Sequence, residues 1–223
     1  MLEVHETTGF GSHSQAISLD AAADYWLEMA WVLDGTESFV IVNIGNEPRD
    51  FNNQDQWTSE TTNAIRKLRN AQIDHVLMVD GPDWGQDSRN TMQANAQTVL
   101  NADSQGDTVL SVHMYQHYPN DAAVRGYLDF YVNNNLPIVV GEFGDSHFAD
   151  GGLQAVDEDA ILAIAQQHQI GWMAWSWSGN ASPNTQLDMV RDYDGNQLTG
   201  WGNRVINGTN GLRQTSRLAQ GIG

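Results

Sequence analysis

The sequence predicts an α/β protein, a (β/α)8 barrel lacking its first two βα units, and three observations lead there. Short apolar runs rich in β-branched residues recur at 1–5, 39–44, 75–79, 108–113, 137–140 and 171–176, starting about 29 to 38 residues apart. They lack polar alternation, as strands buried on both faces do. Stretches with helical spacing separate them, and strand alternating with helix specifies a parallel sheet with helices packed outside. Finally, each run ends in reactive or aromatic residues: His5-Glu6, Asn46-Glu47-Pro48, Asp80 through Trp84, His113-Met114-Tyr115, Glu142-Phe143-Gly144 and Trp175-Ser176-Trp177. Reactive groups at the carboxyl ends of successive parallel strands are the mark of the barrel.

The helical stretches follow in order. Residues 19–33 place Ala22, Tyr25, Trp26, Met29 and Val32 on one side, with Trp26 and Trp31 read as packing residues. Residues 57–71 place Ile65 and Leu68 inward and Arg66, Lys67 and Arg69 outward. Residues 92–101, 122–133, 157–167 and 201–207 supply the remaining helices. No linker or low-complexity segment intervenes, so 1–223 reads as one barrel domain of six strand–helix units. A full barrel needs about 250 residues, and two units are expected before Met1.

Composition narrows the ligand. The chain carries 28 acidic against 10 basic residues, a net charge of -18, which argues against nucleic acid or an anionic membrane as partner. No apolar run approaches the roughly 18 residues that cross a bilayer. With no cysteine, disulfides, thiolate metal sites and a cysteine nucleophile are excluded. Eight tryptophans and six tyrosines suit a carbohydrate, whose C–H faces stack on aromatic rings. Residues 1–10 have neither the basic start nor the apolar core of a secretory signal.

Glu47 and Glu142 stand at the ends of two strands three units apart, and barrel closure turns such ends toward one cavity. Two facing carboxyl groups are what glycoside hydrolysis requires, about 5 Å apart if the anomeric configuration is retained. Asn46 is suited to bind the sugar hydroxyl beside the reacting carbon, where positive charge develops. Its neighbour Glu47 is then the acid/base, holding a proton before attack, and Glu142 the ionised nucleophile. His113 and Tyr115 are suited to orient Glu142, and Trp175 or Trp177 to floor the sugar site.

Asn46-Glu47-Pro48, His113-Met114-Tyr115, Gly141-Glu142-Phe143-Gly144 and the run from Trp172 to Asn180 (WMAWSWSGN) resemble glycoside hydrolase family 5, above all its bacterial endo-β-1,4-mannanases. The resemblance extends from Met1 to the tail Asn207-Gly208-Thr209-Asn210-Gly211-Leu212. It implies a retaining double displacement, with Glu47 as acid/base and Glu142 as nucleophile. It assigns substrate-binding or supporting roles to His5, Asn46, His113, Tyr115 and Trp175, and Trp84 resembles a further cleft aromatic. It implies a secreted enzyme acting on mannan, galactomannan or glucomannan, with no cofactor, metal or obligate protein partner. Three features depart from the pattern. The family's arginine from the second strand has no counterpart here, Glu6 replaces an aspartate, and 147–156 (HFADGGLQAV) is longer than usual.

A β-1,4-endoglucanase on the same scaffold is the nearest alternative, since the two sugars differ only at the 2-hydroxyl. A non-catalytic carbohydrate-binding remnant is the alternative from another class. A metal-dependent hydrolase lacks the paired histidines on one helix that it needs: His117 follows His113 by four residues but past the end of a strand, and His13, His75, His117, His147 and His168 read as surface or packing residues. The acidic stretch 145–159 has no EF-hand spacing.

Overall fold

The computed structural model describes residues 1–149 and 151–217. Backbone contacts divide the chain into two compact units. One comprises Met1–His113 with Asn135–Ile138, the other Met114–Asn134 with the described part of Val139–Gly221. Among the described residues, no helix is long and apolar enough to cross a membrane.

In the first unit, β1 (Leu2–Glu3), β2 (Ile41–Asn43), β3 (Val76–Asp80) and β4 (Thr108–Met114) lie side by side in chain order. All are parallel, with Leu2 opposite Val42, Val42 opposite Leu77, and Leu77 opposite Thr108. Because the strands run parallel, the carboxyl ends of β2, β3 and β4, with Asn43, Asp80 and His113, lie at the same end of the sheet. The covering helices are α1 (Leu19–Glu28), α2 (Ala30–Leu33), α3 (Trp57–Asn70) and α4 (Thr91–Leu100). Ser18 caps α1 by accepting from the Ala21 N–H at 3.2 Å, and the helix buries Leu19, Ala22, Ala23 and Trp26. On α3, Ile65 and Leu68 are buried as expected, and Lys67 reaches Asp20 and Asp24 on α1 at 2.8 and 2.7 Å.

Two readings of these helices are corrected. The helix expected over 19–33 breaks at Met29, which carries φ -88° and ψ 0°. Trp26 packs as expected and donates to the Ile44 carbonyl at 3.0 Å, whereas Trp31 is 79% exposed. The restarted turn buries Leu33, and a residue two positions away lies about 200° around a helix, so Trp31 faces solvent. Arg69, expected outward, is buried. Its Nε and Nη2 donate to the two Asp103 carboxyl oxygens at 2.7 and 2.9 Å, and Nη1 donates to the His75 carbonyl at 2.8 Å. The guanidinium thus gathers acceptors from the buried chain entering β3.

Burial pushes the Asp103 pKa up, but hydrogen bonds from Arg69, the Gln105 N–H and Thr108 outweigh it and hold the carboxyl well below the usual range. A depressed folded-state pKa contributes stability that is complete above the unfolded value near 3.8 and lost as pH falls below it. Arg69→Ala is therefore expected to lower unfolding stability by about 3–5 kcal/mol at pH 7, because it strands a buried carboxylate. Denaturant titrations at pH 7 and pH 3 check this, the gap shrinking at the lower pH as Asp103 takes up a proton in the unfolded chain and in the variant. A loss under about 1 kcal/mol at pH 7 would count the pair as a surface one.

In the second unit, α5 (Asp121–Asn133) is capped by Asn120, which accepts from the Ala123 N–H at 3.0 Å, and buries Val124, Tyr127, Leu128 and Tyr131. After β5 (Ile138–Phe143) come the antiparallel hairpin β6 (Ser146–Ala149) and β7 (Gly152–Ala155), then α6 (Glu158–His168). Most of the long 147–156 stretch is thus a hairpin, and Asp150 lies outside the described residues. A second hairpin, β8 (Val190–Arg191) and β9 (Asp194–Leu198), precedes α7 (Gly200–Asn207) and the single turn α8 (Leu212–Thr215). Phe143 anchors the core, edge-on to Trp172 and Trp201 at 5.8 and 5.6 Å.

The sixth expected strand, 171–176, is corrected to an irregular extended segment with one parallel bridge, Val140 to Trp172. It still follows β5 through Val140 N–H to Gly171 O at 2.9 Å, Met173 N–H to Val140 O at 3.0 Å and Trp175 N–H to Phe143 O at 2.9 Å. The backbone is paired, but the pairing does not repeat regularly enough to make a ladder.

Candidate active site

In the first unit the centre of the site is His113. Its Nδ1 lies 2.9 Å from Glu47 Oε1 and its Nε2 3.3 Å from Asp80 Oδ2. Glu47 follows β2 with φ 43°, in the left-handed region that few glutamates occupy, and its N–H donates to Asp80 Oδ2 at 3.2 Å. Asp80 ends β3, is buried, and also accepts from Asn43 Nδ2 at 3.0 Å. Burial alone would raise its pKa, yet the charge and hydrogen bond of His113 and the Glu47 N–H outweigh it and keep it below the ordinary range.

The histidine is seated by a glycine. Gly85 has φ +74°, and a Cβ there would fall 2.4 Å from the imidazole, so only glycine allows its carbonyl to accept the His113 N–H at 2.8 Å. Trp84 just before it packs over Gly9, meets His13 edge-on at 4.9 Å, and donates its backbone N–H to the Arg49 carbonyl at 2.9 Å. Asn46 is buried and donates to Thr8 Oγ1 at 2.9 Å, while its Oδ1 has no partner among the described residues. His5 sits in a short 3-10 turn, its side chain 53% exposed and its Nδ1 2.9 Å from Glu3. Arg49, the arginine nearest Glu47 in sequence, is committed to Glu60 and Gln56.

In the second unit Tyr115 donates its hydroxyl to Glu142 Oε2 at 2.8 Å, and Glu142 is only 8% exposed. The His147 ring, on β6, lies 4.8 Å from the Tyr115 ring, with Nδ1 2.9 Å from Gln116 Oε1. Burial lowers the His147 pKa, so it braces Tyr115 as a neutral ring. Trp175 is partly exposed and fixed at both ends: its indole N–H donates to Asn180 Oδ1, and its carbonyl accepts from Trp201 Nε1, each at 2.8 Å. Trp177 is 46% exposed, its indole lying against Gly195.

Residues 1–181 match the family model described as Cellulase (glycosyl hydrolase family 5). The chain belongs to glycosyl hydrolase family 5. As a family 5 chain it is 51% identical over 222 residues to the mannan endo-1,4-beta-mannosidase of Streptomyces lividans, covering 98% of this chain and 56% of that protein. It is 47% identical to the Cellvibrio japonicus mannan endo-1,4-beta-mannosidase, covering 98% of this chain and 50% of that one. It thus spans about half the length of these relatives. Among solved structures, the mannohexaose complex of the Thermomonospora fusca beta-mannanase superimposes with a TM-score of 0.92 at 44% identity, over 97% of this chain and 71% of that one. The parallel β/α units of this family 5 chain are therefore part of a (β/α)8 barrel.

The site residues of this family 5 chain group by partner. Glu47 and His113 meet, as do Tyr115 and Glu142. Sequence reasoning expected His113 to serve Glu142, and the hydrogen bond to Glu47 with the Asp80 contact behind it went unforeseen. Asp80 stood only as one member of a polar strand end. The signal available for it was an aspartate completing a buried strand, which is costly to place there unless donors surround it.

Proposed function

We propose that this chain carries the catalytic centre of a secreted, retaining endo-β-1,4-mannanase, with Glu47 as acid/base and Glu142 as nucleophile. The observation that supports it best is the different company of the two carboxyl groups. Glu47 is hydrogen-bonded to an imidazole, whose ring nitrogens can give or take a proton, whereas Glu142 accepts from a tyrosine hydroxyl. One glutamate is equipped to pass a proton, the other to stay an ionised acceptor.

In the first step a Glu142 oxygen bonds to the anomeric carbon as the glycosidic C–O bond breaks, and Glu47 gives its proton to the departing oxygen. In the second, water attacks that carbon, its proton passes to Glu47, and Glu142 leaves as carboxylate. Asn46 takes the 2-hydroxyl, whose O–H fills the unpartnered Oδ1. To Trp84, Trp175 and Trp177 we assign stacking on sugar rings, and to His5 a substrate-binding or supporting role. The ligand is a neutral β-linked mannan, which suits a protein of net charge -18 better than any polyanion. A polymer of that size is met outside the cell, so we place the enzyme there.

Reducing-end release from galactomannan and from carboxymethylcellulose tests this reading. At least about tenfold faster release from galactomannan is expected, since a site that hydrogen-bonds one hydroxyl rejects its misplacement. Proton NMR of the nascent product is expected to show the β anomer first. Faster carboxymethylcellulose hydrolysis would mean a glucanase, an α product inversion, and mannan binding without turnover a non-catalytic module.

A further inference from the structure

We propose that Asp80 is a positioning residue for proton transfer: its buried carboxylate keeps His113 Nε2 protonated, so that Nδ1 and Glu47 share one proton between them. The inference rests on the acid/base role given to Glu47 above.

The hydrogen-bond directions around Asp80 fix the argument. The Asn43 amide is oriented by its own Oδ1, which accepts the Gly45 N–H at 3.0 Å, so its Nδ2 faces Asp80 Oδ1 as a donor at 3.0 Å. The Glu47 N–H is a second donor, at 3.2 Å on Oδ2. Trp57 Nε1 donates to the Asp80 backbone carbonyl at 2.8 Å, holding the residue at the strand end. A side chain surrounded by donors is an ionised carboxylate and accepts only. His113 Nε2, 3.3 Å from the same Oδ2, must then carry a hydrogen. With Nε2–H committed, Nδ1 faces Glu47 Oε1 at 2.9 Å across a contact that accommodates a single proton.

The consequence is chemical. When Glu47 gives its proton to the leaving oxygen, the electron pair of the broken C–O bond stays on that oxygen, and a carboxylate is left facing the Nδ1 lone pair. That repulsion restores the proton affinity of Glu47, which retakes a proton from the attacking water in the second step. Were the imidazole to hold its hydrogen on Nδ1 alone, it would stabilise the Glu47 carboxylate before reaction and weaken it as an acid. Asp80 prevents that tautomer. The same carboxylate grips the Glu47 backbone N–H, so one buried group fixes both the position of the acid and the tautomer of its partner.

The test uses the full chain with Asp80→Asn, His113→Asn and the double variant on two substrates. Mannohexaose needs full protonation of its leaving sugar, whereas a 2,4-dinitrophenyl β-mannotrioside needs almost none. Asp80→Asn is expected to lower kcat/KM about 100-fold on mannohexaose and under about 5-fold on the aryl glycoside, the range of an acid–base contribution. In the His113→Asn background it should add less than about 3-fold, because a residue acting through another is not additive with it. Equal losses on both substrates, or full additivity, would reduce Asp80 to a structural residue. Independently of any Asp80 variant, 15N NMR of histidine-labelled parent protein, with the His113 signal identified by its loss in His113→Asn, should show Nε2 protonated. A bare Nε2 overturns the proposal. A parent that cleaves neither substrate would instead sink the mannanase reading itself.

Discussion

Glu142→Ala should lower galactomannan turnover by on the order of 10⁴-fold or more while leaving mannan binding nearly intact. The carboxylate forms the bond to the anomeric carbon, which an alanine methyl cannot do, and the variant removes the acceptor to which the Tyr115 hydroxyl donates at 2.8 Å. The diagnostic measurement uses the aryl mannotrioside with azide. The space left by the carboxylate admits the anion, which attacks from the vacated face and yields the α-mannosyl azide, a single displacement with inversion. Circular dichroism of the variant checks that the fold survives. A rate within tenfold of the parent would remove Glu142 from the role of nucleophile.

The second large effect is at Glu47. Glu47→Ala is expected to cost about 10²–10⁴-fold on mannohexaose, and far less in forming the glycosyl-enzyme from the dinitrophenyl substrate. Azide then attacks the intermediate already formed on Glu142, so the product is the β-mannosyl azide, opposite to that from Glu142→Ala. The stereochemistry of the two azides thus assigns the roles without reference to rate. Residue 47 sits at φ 43°, a backbone conformation that alanine and glutamine must adopt alike, so comparing the two variants isolates the side chain. Glu47→Gln keeps size and shape while removing the acidic proton, and should be nearly as slow as the alanine variant. A glutamine variant at parental rate would dismiss Glu47 as the acid.

Much of the fold was legible because its signals are local. A buried parallel strand shows itself as a short apolar run, so β1 to β5 lie within or overlap their expected stretches, and α3 to α7 fall within a residue or two of the helical spacings. The misreadings share a cause. Periodicity placed Arg69 on an outer face, but its partner Asp103 lies 34 residues away, and pairing with it reverses the preference for water. The break at Met29 carries no proline or glycine to announce it, so Trp31 was placed in packing rather than in solvent. The run 171–176 has the composition of a strand and keeps the backbone bonds, yet lacks a strand's regularity.

What the sequence alone determined is which chemical groups this protein sets at the ends of its strands, since an apolar run followed by Asn-Glu-Pro or Gly-Glu-Phe-Gly fixes both strand and terminus within a few residues. Only the tertiary structure decided which partner each group touches. Glu47 meets His113 from 66 residues away, its N–H meets Asp80 from 33, and Glu142 meets Tyr115 from 27. A hydrogen bond is made or lost over a few tenths of an ångström, and contacts that fine between distant segments are set by how the strands pack, which local patterns of a few residues do not record.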